Sequence, residues 1–555
     1  MAFQPAAAVK PGLDPQPSLS EKEDQIPYIP EYYVPDGVTP NLETYMYYAK
    51  IQRENEVLSA RNDAETTHWG GLISRTFRRS SDNRSVASAI APSSAEGGAD
   101  PVTPGEYRAA SGALRTATWG SVFYLITTDI LGPYSTPYAF QQVGYGPGVA
   151  CFVVFGLFLK LDSQRYPVKS FGELGQRIYG RWFGLLCNVL QSLQLVFNVG
   201  IIILQNGQGL SQMAKFKLCF SVCNVVWTLA GMFLGQIRTL QKFGSIANLA
   251  IWMNIIVLIM TMAFVAHSPP NYNAVPYSGP VITQAINLQA FENQLNGIMQ
   301  IVFSYGGAMI FVEFMAEMRR PMDFWKAMAY AQIFIFVVYM FFGLFVYSYQ
   351  GQYVVNPANQ GISTYSLQTA TNAISLTAGL IAAALYGNIG VKIIYNNFFV
   401  DIFGFPQLTA TRGKYYFAIS VIAYWAAAFV IGSAIPQFSA LSALVAAVCI
   451  FQFTYTFPPF MILGYTMQID AAKGDREFDI NDPYAHRVDT WRNFSRWRRA
   501  LLTWDVFFNL WNFLLTFACL ACATLSAYSA VTTIVTAFAT SSSSSFSCHS
   551  PLDNS

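Results

Sequence analysis

The sequence predicts an all-α integral membrane protein with eleven spanning helices, the first and sixth of them broken. Three observations carry that prediction. Of 555 residues, 53% are hydrophobic and only 12% charged, against about 25% charged in soluble domains. The apolar residues form continuous runs of about twenty, not the alternating segments of about ten that barrel strands need, so helices satisfy the backbone in lipid. Finally, lysine and arginine are shared unequally between the two sets of connections, which orients the chain.

The runs place helices at about 119–140, 146–159, 183–206, 217–235, 244–266, 293–317, 327–349, 368–394, 415–432, 438–465 and 502–535. The second is short, and the last is long enough to tilt or protrude. With the N-terminus inside, the inward connections carry twenty lysines and arginines, seven of them between Lys473 and Arg499. The outward connections carry only Lys215 and Lys217. One miscounted helix in the middle would invert half of this pattern. The bias therefore supports both the parity and the orientation, with a cytosolic N-terminus and an extracellular C-terminus.

The flanking segments are polar. Residues 1–118 read as a disordered cytosolic tail, rich in Pro, Ser and acidic residues, within which 42–63 has the pattern of a short amphipathic helix. Nothing there resembles a signal peptide, so the first span would direct insertion. Lys10, Lys22, Lys50 and the serines near Arg75–Arg84 would be open to modification. The tail is therefore either a platform for regulatory partners or an inert tether. Residues 536–555 read as a Ser-rich flexible C-terminus. Of eight cysteines, Cys219 and Cys223, like Cys519 and Cys522, have helical spacing and read as packing residues. No disulfide framework or zinc site is indicated. A net charge of +2 with scattered arginines offers no groove for nucleic acid. No phosphate loop, metal cluster or nucleophile arrangement is present, so neither an enzyme nor a cofactor is expected.

The informative features are two interruptions. TDILGPYSTPYAFQQVGYGPG (128–148) places Asp129, Gly132, Pro133 and Pro137 at the end of an apolar run. FSYGGAMIFVEFMAEMRRP (303–321) places Gly306-Gly307 well inside another. Breaks five helices apart resemble corresponding positions in two inverted repeats, about 119–266 and 293–465, with the last helix extra. That pattern points to a binding site at the membrane midplane. Unwinding frees N–H and C=O groups that protein, water or ligand must satisfy. Freed N–H groups suit a carboxylate and freed carbonyls an ammonium group, and a zwitterion needs both. Gly132, Gly306 and Gly307 let the backbone approach closely, with Tyr134, Ser135, Ser304 and Tyr305 beside them. Packing of neighbouring helices is the other use of such glycines.

Charged groups inside spans are costly and are functional candidates by default. Asp129 has three open roles: pairing with a substrate ammonium, carrying a proton, or capping the second half-helix. Glu313 and Glu317 share a face of the sixth helix. Glu317, near Arg319 and Arg320, suits a paired gate residue, while Glu313 is the deeper proton candidate, with Lys392 as an alternative partner. On the third helix Gln191, Gln194, Asn198, Gln205 and Gln208 fall in one sector, which either lines a pathway or bonds to neighbouring helices.

These two breaks carry a resemblance. Gly132 followed by Pro137-Tyr138-Ala139-Phe140 is similar to the first-helix motif of the eukaryotic amino acid/auxin permease family, with Ile130 at the place of its first glycine. Phe303–Gly307, Glu317-Met318, Pro321, Phe324, Lys326 and Ala327 resemble its sixth-helix element. Many relatives have a histidine where this chain has Ala308. LYGNIGVKIIYNN (385–397) resembles the fungal neutral amino acid permeases. The resemblance implies an eleven-helix form of the five-plus-five inverted-repeat transporter fold and proton-coupled import of neutral, aliphatic and aromatic amino acids by alternating access. Sodium coupling through carbonyls and the hydroxyls of Thr127, Thr128 and Ser135 is the nearest rival, and a non-transporting nutrient sensor is a reading of another class. The expected location is the plasma membrane, with the vacuolar membrane as the alternative.

Overall fold

The long apolar runs become long helices, and short polar turns return the chain through the bundle. The computed structural model describes residues 41–66, 119–130, 133–135, 137–138, 160–162, 168–237, 240–272, 279–284, 290–318, 320–400, 403–406, 411–474, 491–502, 506–540 and 544–553. In chain order the α-helices are α1 (Leu42–Thr66), α2 (Trp119–Ile130), α3 (Phe171–Tyr179), α4 (Arg181–Met213) and α5 (Phe220–Leu234). Then come α6 (Leu240–His267), α7 (Phe291–Ser304), α8 (Phe311–Glu317), α9 (Phe324–Gln350) and α10 (Tyr365–Ile394). The series ends with α11 (Thr411–Ala434), α12 (Phe438–Val445), α13 (Phe457–Ala472), α14 (Phe494–Leu501) and α15 (Val506–Thr540).

Among the described residues, eight segments are long and apolar enough to cross a membrane, and α5 is a shorter apolar helix. The protein is thus an all-α, multi-pass membrane protein. The span expected at 146–159 and the GYGPG element lie outside the described residues. Two π-turns, at Ala446–Ile450 and Gln452–Thr456, join α12 to α13, so the tenth expected span is continuous but locally underwound.

α4 is the central element, packed along α10, α11 and α3. Its contact with α11 needs glycine on both sides. A Cβ on Gly200 would lie 2.9 Å from the Ala428 carbonyl, and one on Gly432 would lie 2.5 Å from the Gly200 carbonyl. The two backbones therefore touch, as small residues permit in membrane bundles. By contrast, α15 is peripheral, with only 17% of its most apolar window buried, as a lipid-facing helix should be.

Both termini depart from the expectation of free tails. Thr44, Tyr45 and Ala49 of α1 are buried, and the Arg177 guanidinium lies 4.3 Å from the centre of the Tyr45 ring. Tyr45 belongs to the same core as Val122, Ile126, Met315 and Tyr465, so part of the 1–118 tail is docked helix. At the other end Cys219 and Cys548 form a disulfide across 329 residues, which corrects the reading of Cys219 as a packing residue and of the protein as free of disulfides. Spacing could not reveal it, because the partners meet only through the fold. Around it the Phe220 N–H donates to the Cys548 carbonyl and the Phe546 N–H to the Ser433 carbonyl, each at 3.0 Å. The Ser545 hydroxyl donates to the Ala434 carbonyl at 2.7 Å. The C-terminus is therefore a strap across the ends of α5 and α11, and α15 extends to Thr540, past the expected end at 535. If the strap acts through this one bond, Cys219→Ser, Cys548→Ser and the double variant should lower the melting temperature by the same amount, with no additive loss.

Candidate functional site

Both interruptions are present as breaks in helical order. α2 ends at Ile130, and a 3-10 turn follows at Pro133–Ser135. α7 ends at Ser304, residues 305–307 form a turn, and a 3-10 turn over Ala308–Ile310 leads into α8. In this second break the Gly306 N–H donates to the Phe303 carbonyl at 3.2 Å and the Gly307 N–H to the Tyr305 carbonyl at 3.0 Å. The donor that would close on the Val302 carbonyl in a regular helix is thus turned elsewhere. The Ser304 carbonyl is taken by the Tyr339 hydroxyl at 2.8 Å, which holds α9 against the break.

A cavity of about 120 Å³ lies between the two breaks, with Tyr134 and Ser135 on one side and Phe303, Ser304 and Gly306 on the other. A single water needs roughly a tenth of that volume. α4 supplies Asn198, Ile201, Ile202 and Gln205 at offsets 3, 4 and 7, one face of a helix. α10 supplies Ser375, Ala378, Gly379 and Ala382 in the same register, α6 supplies Asn254, and Phe438 and Ile450 close the apolar side. The Tyr134 hydroxyl donates to Asn254 Oδ1 at 3.0 Å. Among the described residues, no charged side chain is on the wall. The arrangement offers amide and hydroxyl groups at the breaks and an uncharged, largely apolar remainder.

The sequence-predicted residues fall into three groups. Tyr134, Ser135, Ser304 and Gly306 meet at the cavity. Tyr305 packs against Tyr339, ring centroids 5.1 Å apart, and Gly307 lies in the turn behind the wall. Gly132 is outside the described residues. Asp129 stands one residue before the end of α2 and Glu317 at the end of α8. Lys392 is half-buried in the last turn of α10. Glu313 accepts from Gln191 Nε2 at 2.6 Å, and the same amide nitrogen donates to the Met309 carbonyl at 2.9 Å. The amide stripe of α4 therefore divides between its two proposed uses. Gln191 and Gln208 bond to neighbouring segments, the latter to the Pro436 carbonyl at 3.2 Å, while Asn198 and Gln205 line the cavity.

The α6 and α10 walls were not found from sequence. Ser375, Ala378, Gly379 and Ala382 do form a small-residue face, which is a readable pattern, although packing faces in membrane bundles have it too. Asn254 is six residues from Asn248 in an apolar run, a spacing that puts the two on different faces and gave no pattern.

A multi-pass helical bundle with a polar-ended cavity between two interrupted helices has the construction of a membrane transporter. A family model described as transmembrane amino acid transporter protein matches residues 115–477, and the chain belongs to that family. It is therefore a transporter of amino acids rather than an enzyme, and the resemblance drawn from the two breaks is borne out. The N amino acid transport system protein of Neurospora crassa is 24% identical over 64% of this chain and 78% of its own length. A transmembrane transporter of Fusarium pseudograminearum is 23% identical over 62% and 74%. Lysine histidine transporter-like 1 of Arabidopsis thaliana is 24% identical over 59% and 75%.

Proposed function

We propose that the protein imports neutral amino acids together with protons, by alternating access around the two breaks of an eleven-helix, five-plus-five fold. The observation that carries this reading is the cavity between the breaks, with hydrogen-bonding groups at its ends and no charge among the described residues of its wall. The polar groups of Tyr134, Ser135 and Ser304 receive the α-carboxylate and α-ammonium, with Gly132, Gly306 and Gly307 as the proposed points of close main-chain approach. The substrate side chain lies toward Ile201, Ile202, Phe438 and Ile450. A charged side chain would be desolvated there without a partner, at a cost of several kcal/mol.

Glu313 is the proton carrier in this account. It joins α4 at Gln191, and Gln194 and Asn198 follow on the same face at offsets of 3 and 7. That distance is about 10 Å of helix rise. The Gln194 amide is buried with neither polar atom hydrogen-bonded among the described residues, and so is Asn198 Oδ1. A file of amide groups thus runs from the cavity to Glu313. Asp129, Glu317 and Lys392 complete the set of ionisable candidates. Gln194→Leu should slow proton-driven accumulation by at least about 5-fold, the loss of one hydrogen-bonding step worth ~1 kcal/mol, while exchange of labelled for unlabelled substrate proceeds.

The orientation rests on two supports. The lysine and arginine bias places Lys215 and Lys217 outside, and the neighbouring Cys219–Cys548 bond suits the oxidising side of the membrane. We assign the plasma membrane as the location. Signal from a C-terminal tag confined to the vacuolar rim under nutrient limitation would reverse that assignment. The wall composition also makes a size prediction. Ala382→Leu, which fills the α10 face, should abolish uptake of phenylalanine while leaving alanine uptake within about 3-fold of wild type. Equal loss of both substrates would place the side-chain pocket elsewhere.

A further inference from the structure

The turn between α13 and α15 forms a platform whose exposed side does not suit water. In α14 and the residue after it, Phe494 is 82%, Trp497 42%, Leu501 46% and Leu502 70% exposed. Arg496 and Ala500, on the opposite side, are buried. At 100° per residue, Phe494, Trp497, Arg498 and Leu501 share one face. The turn before α14 is folded onto it. Trp497 Nε1–H donates to the Trp491 carbonyl at 2.7 Å, and the two indole rings lie 5.0 Å apart. The Arg496 guanidinium caps the Trp491 ring at 4.8 Å. Arg492 and Arg498 are exposed beside this aromatic cluster.

Exposed apolar residues resume at the start of α15, where Phe507 and Trp511 are also exposed. Since α15 is a spanning helix on the periphery of the bundle, the platform sits where its first turn enters the membrane. Aromatic rings and leucines flanked by arginines are the composition that settles at the boundary between headgroups and acyl chains. An arginine there presents a planar fork to phosphate.

We infer that this platform binds an anionic phospholipid, with Phe494, Trp497, Leu501 and Leu502 against the acyl chains and Arg492 and Arg498 on the headgroup phosphate. Charge complementarity and the exposed apolar start of α15 that follows in the chain favour a lipid over a protein partner. The assignment to the inner leaflet rests on the proposed orientation, and the lipid preference does not. An anionic surface is worth ~1 kcal/mol per arginine, or roughly 5-fold in affinity for each.

The test uses the full-length protein in nanodiscs of phosphatidylcholine with phosphatidylserine, followed by native mass spectrometry of the lipids retained. Wild type should retain phosphatidylserine in clear excess over its share of the bilayer. Arg492→Gln with Arg498→Gln should reduce that enrichment by an order of magnitude. The control pair Arg412→Gln with Lys414→Gln, exposed cations in the first turn of α11 on the same proposed side of the membrane, should leave it within about 2-fold. Nanodiscs expose both faces, so an error of orientation does not affect the outcome. Unchanged enrichment in the Arg492/Arg498 variant, or equal loss in the control pair, overturns the site. Displacement of the lipid by glycerophosphoserine, which lacks acyl chains, would make it a soluble-anion site and also overturn the inference.

Discussion

Gly306→Ala is expected to abolish saturable uptake while the protein still reaches the membrane in normal amount. A Cβ at this position would lie 2.9 Å from both Cδ1 and Cγ2 of Ile450 and 3.0 Å from the Phe303 carbonyl. Ile450 stands on the cavity wall, so the methyl group intrudes between the break and the apolar side of the site. Overpacking of this kind costs about 1–3 kcal/mol, which as lost affinity is roughly 5- to 150-fold. Alanine also favours regular helix by about 1 kcal/mol over glycine, which works against the break itself. The two effects can be separated. Ile450→Ala removes both close side-chain contacts, so Gly306→Ala with Ile450→Ala should recover binding to within about 10-fold of Ile450→Ala alone. Equal binding by wild type and Gly306→Ala would mean that this break serves packing.

Glu313→Gln should separate transport from its driving force. The Gln191 amide donates to Glu313 Oε1, and a glutamine oxygen accepts the same bond, so the local geometry is kept while the titrating group is lost. Exchange of labelled for unlabelled substrate should continue at a rate within a few-fold of wild type. Accumulation against a concentration gradient should fall by 10-fold or more, and its response to external pH should flatten. Glu313→Ala also removes the acceptor and leaves the buried Gln191 amide short of a partner, at about 1–3 kcal/mol. It should therefore impair exchange as well. If Glu313→Gln retains full accumulation, the proton passes through another group, with Asp129 the next to test.

The breaks were legible because glycine and proline inside an apolar run conflict with the solvent that the rest of the run is suited to. From Gly306-Gly307 and Pro133 it was a short step to Tyr134, Ser135 and Ser304, all of which meet at one cavity. The opposing wall was illegible for the complementary reason. Phe438 and Ile450 are ordinary residues of an apolar helix, and only the fold brings them within reach of Gly306. One partner of Glu313 was illegible in the same way. Sequence offered Lys392 because it carries the opposite charge, and the structure adds Gln191, 122 residues away. The Cys219–Cys548 bond shows the limit most plainly. Local spacing made Cys219 a companion of Cys223, and nothing in the Ser-rich terminus marked Cys548 as its partner.

The central claim is that an amino acid bound between the two breaks is driven by protons. Its most direct test is uptake of radiolabelled leucine into proteoliposomes of the purified full-length protein, in sodium-free buffer, with a pH gradient imposed acid outside. The account predicts transient accumulation above the external concentration, its collapse on adding a protonophore, and no accumulation by Gly306→Ala in the same vesicles. Leucine uptake that ignores the pH gradient, or that appears only when sodium replaces choline, would contradict it.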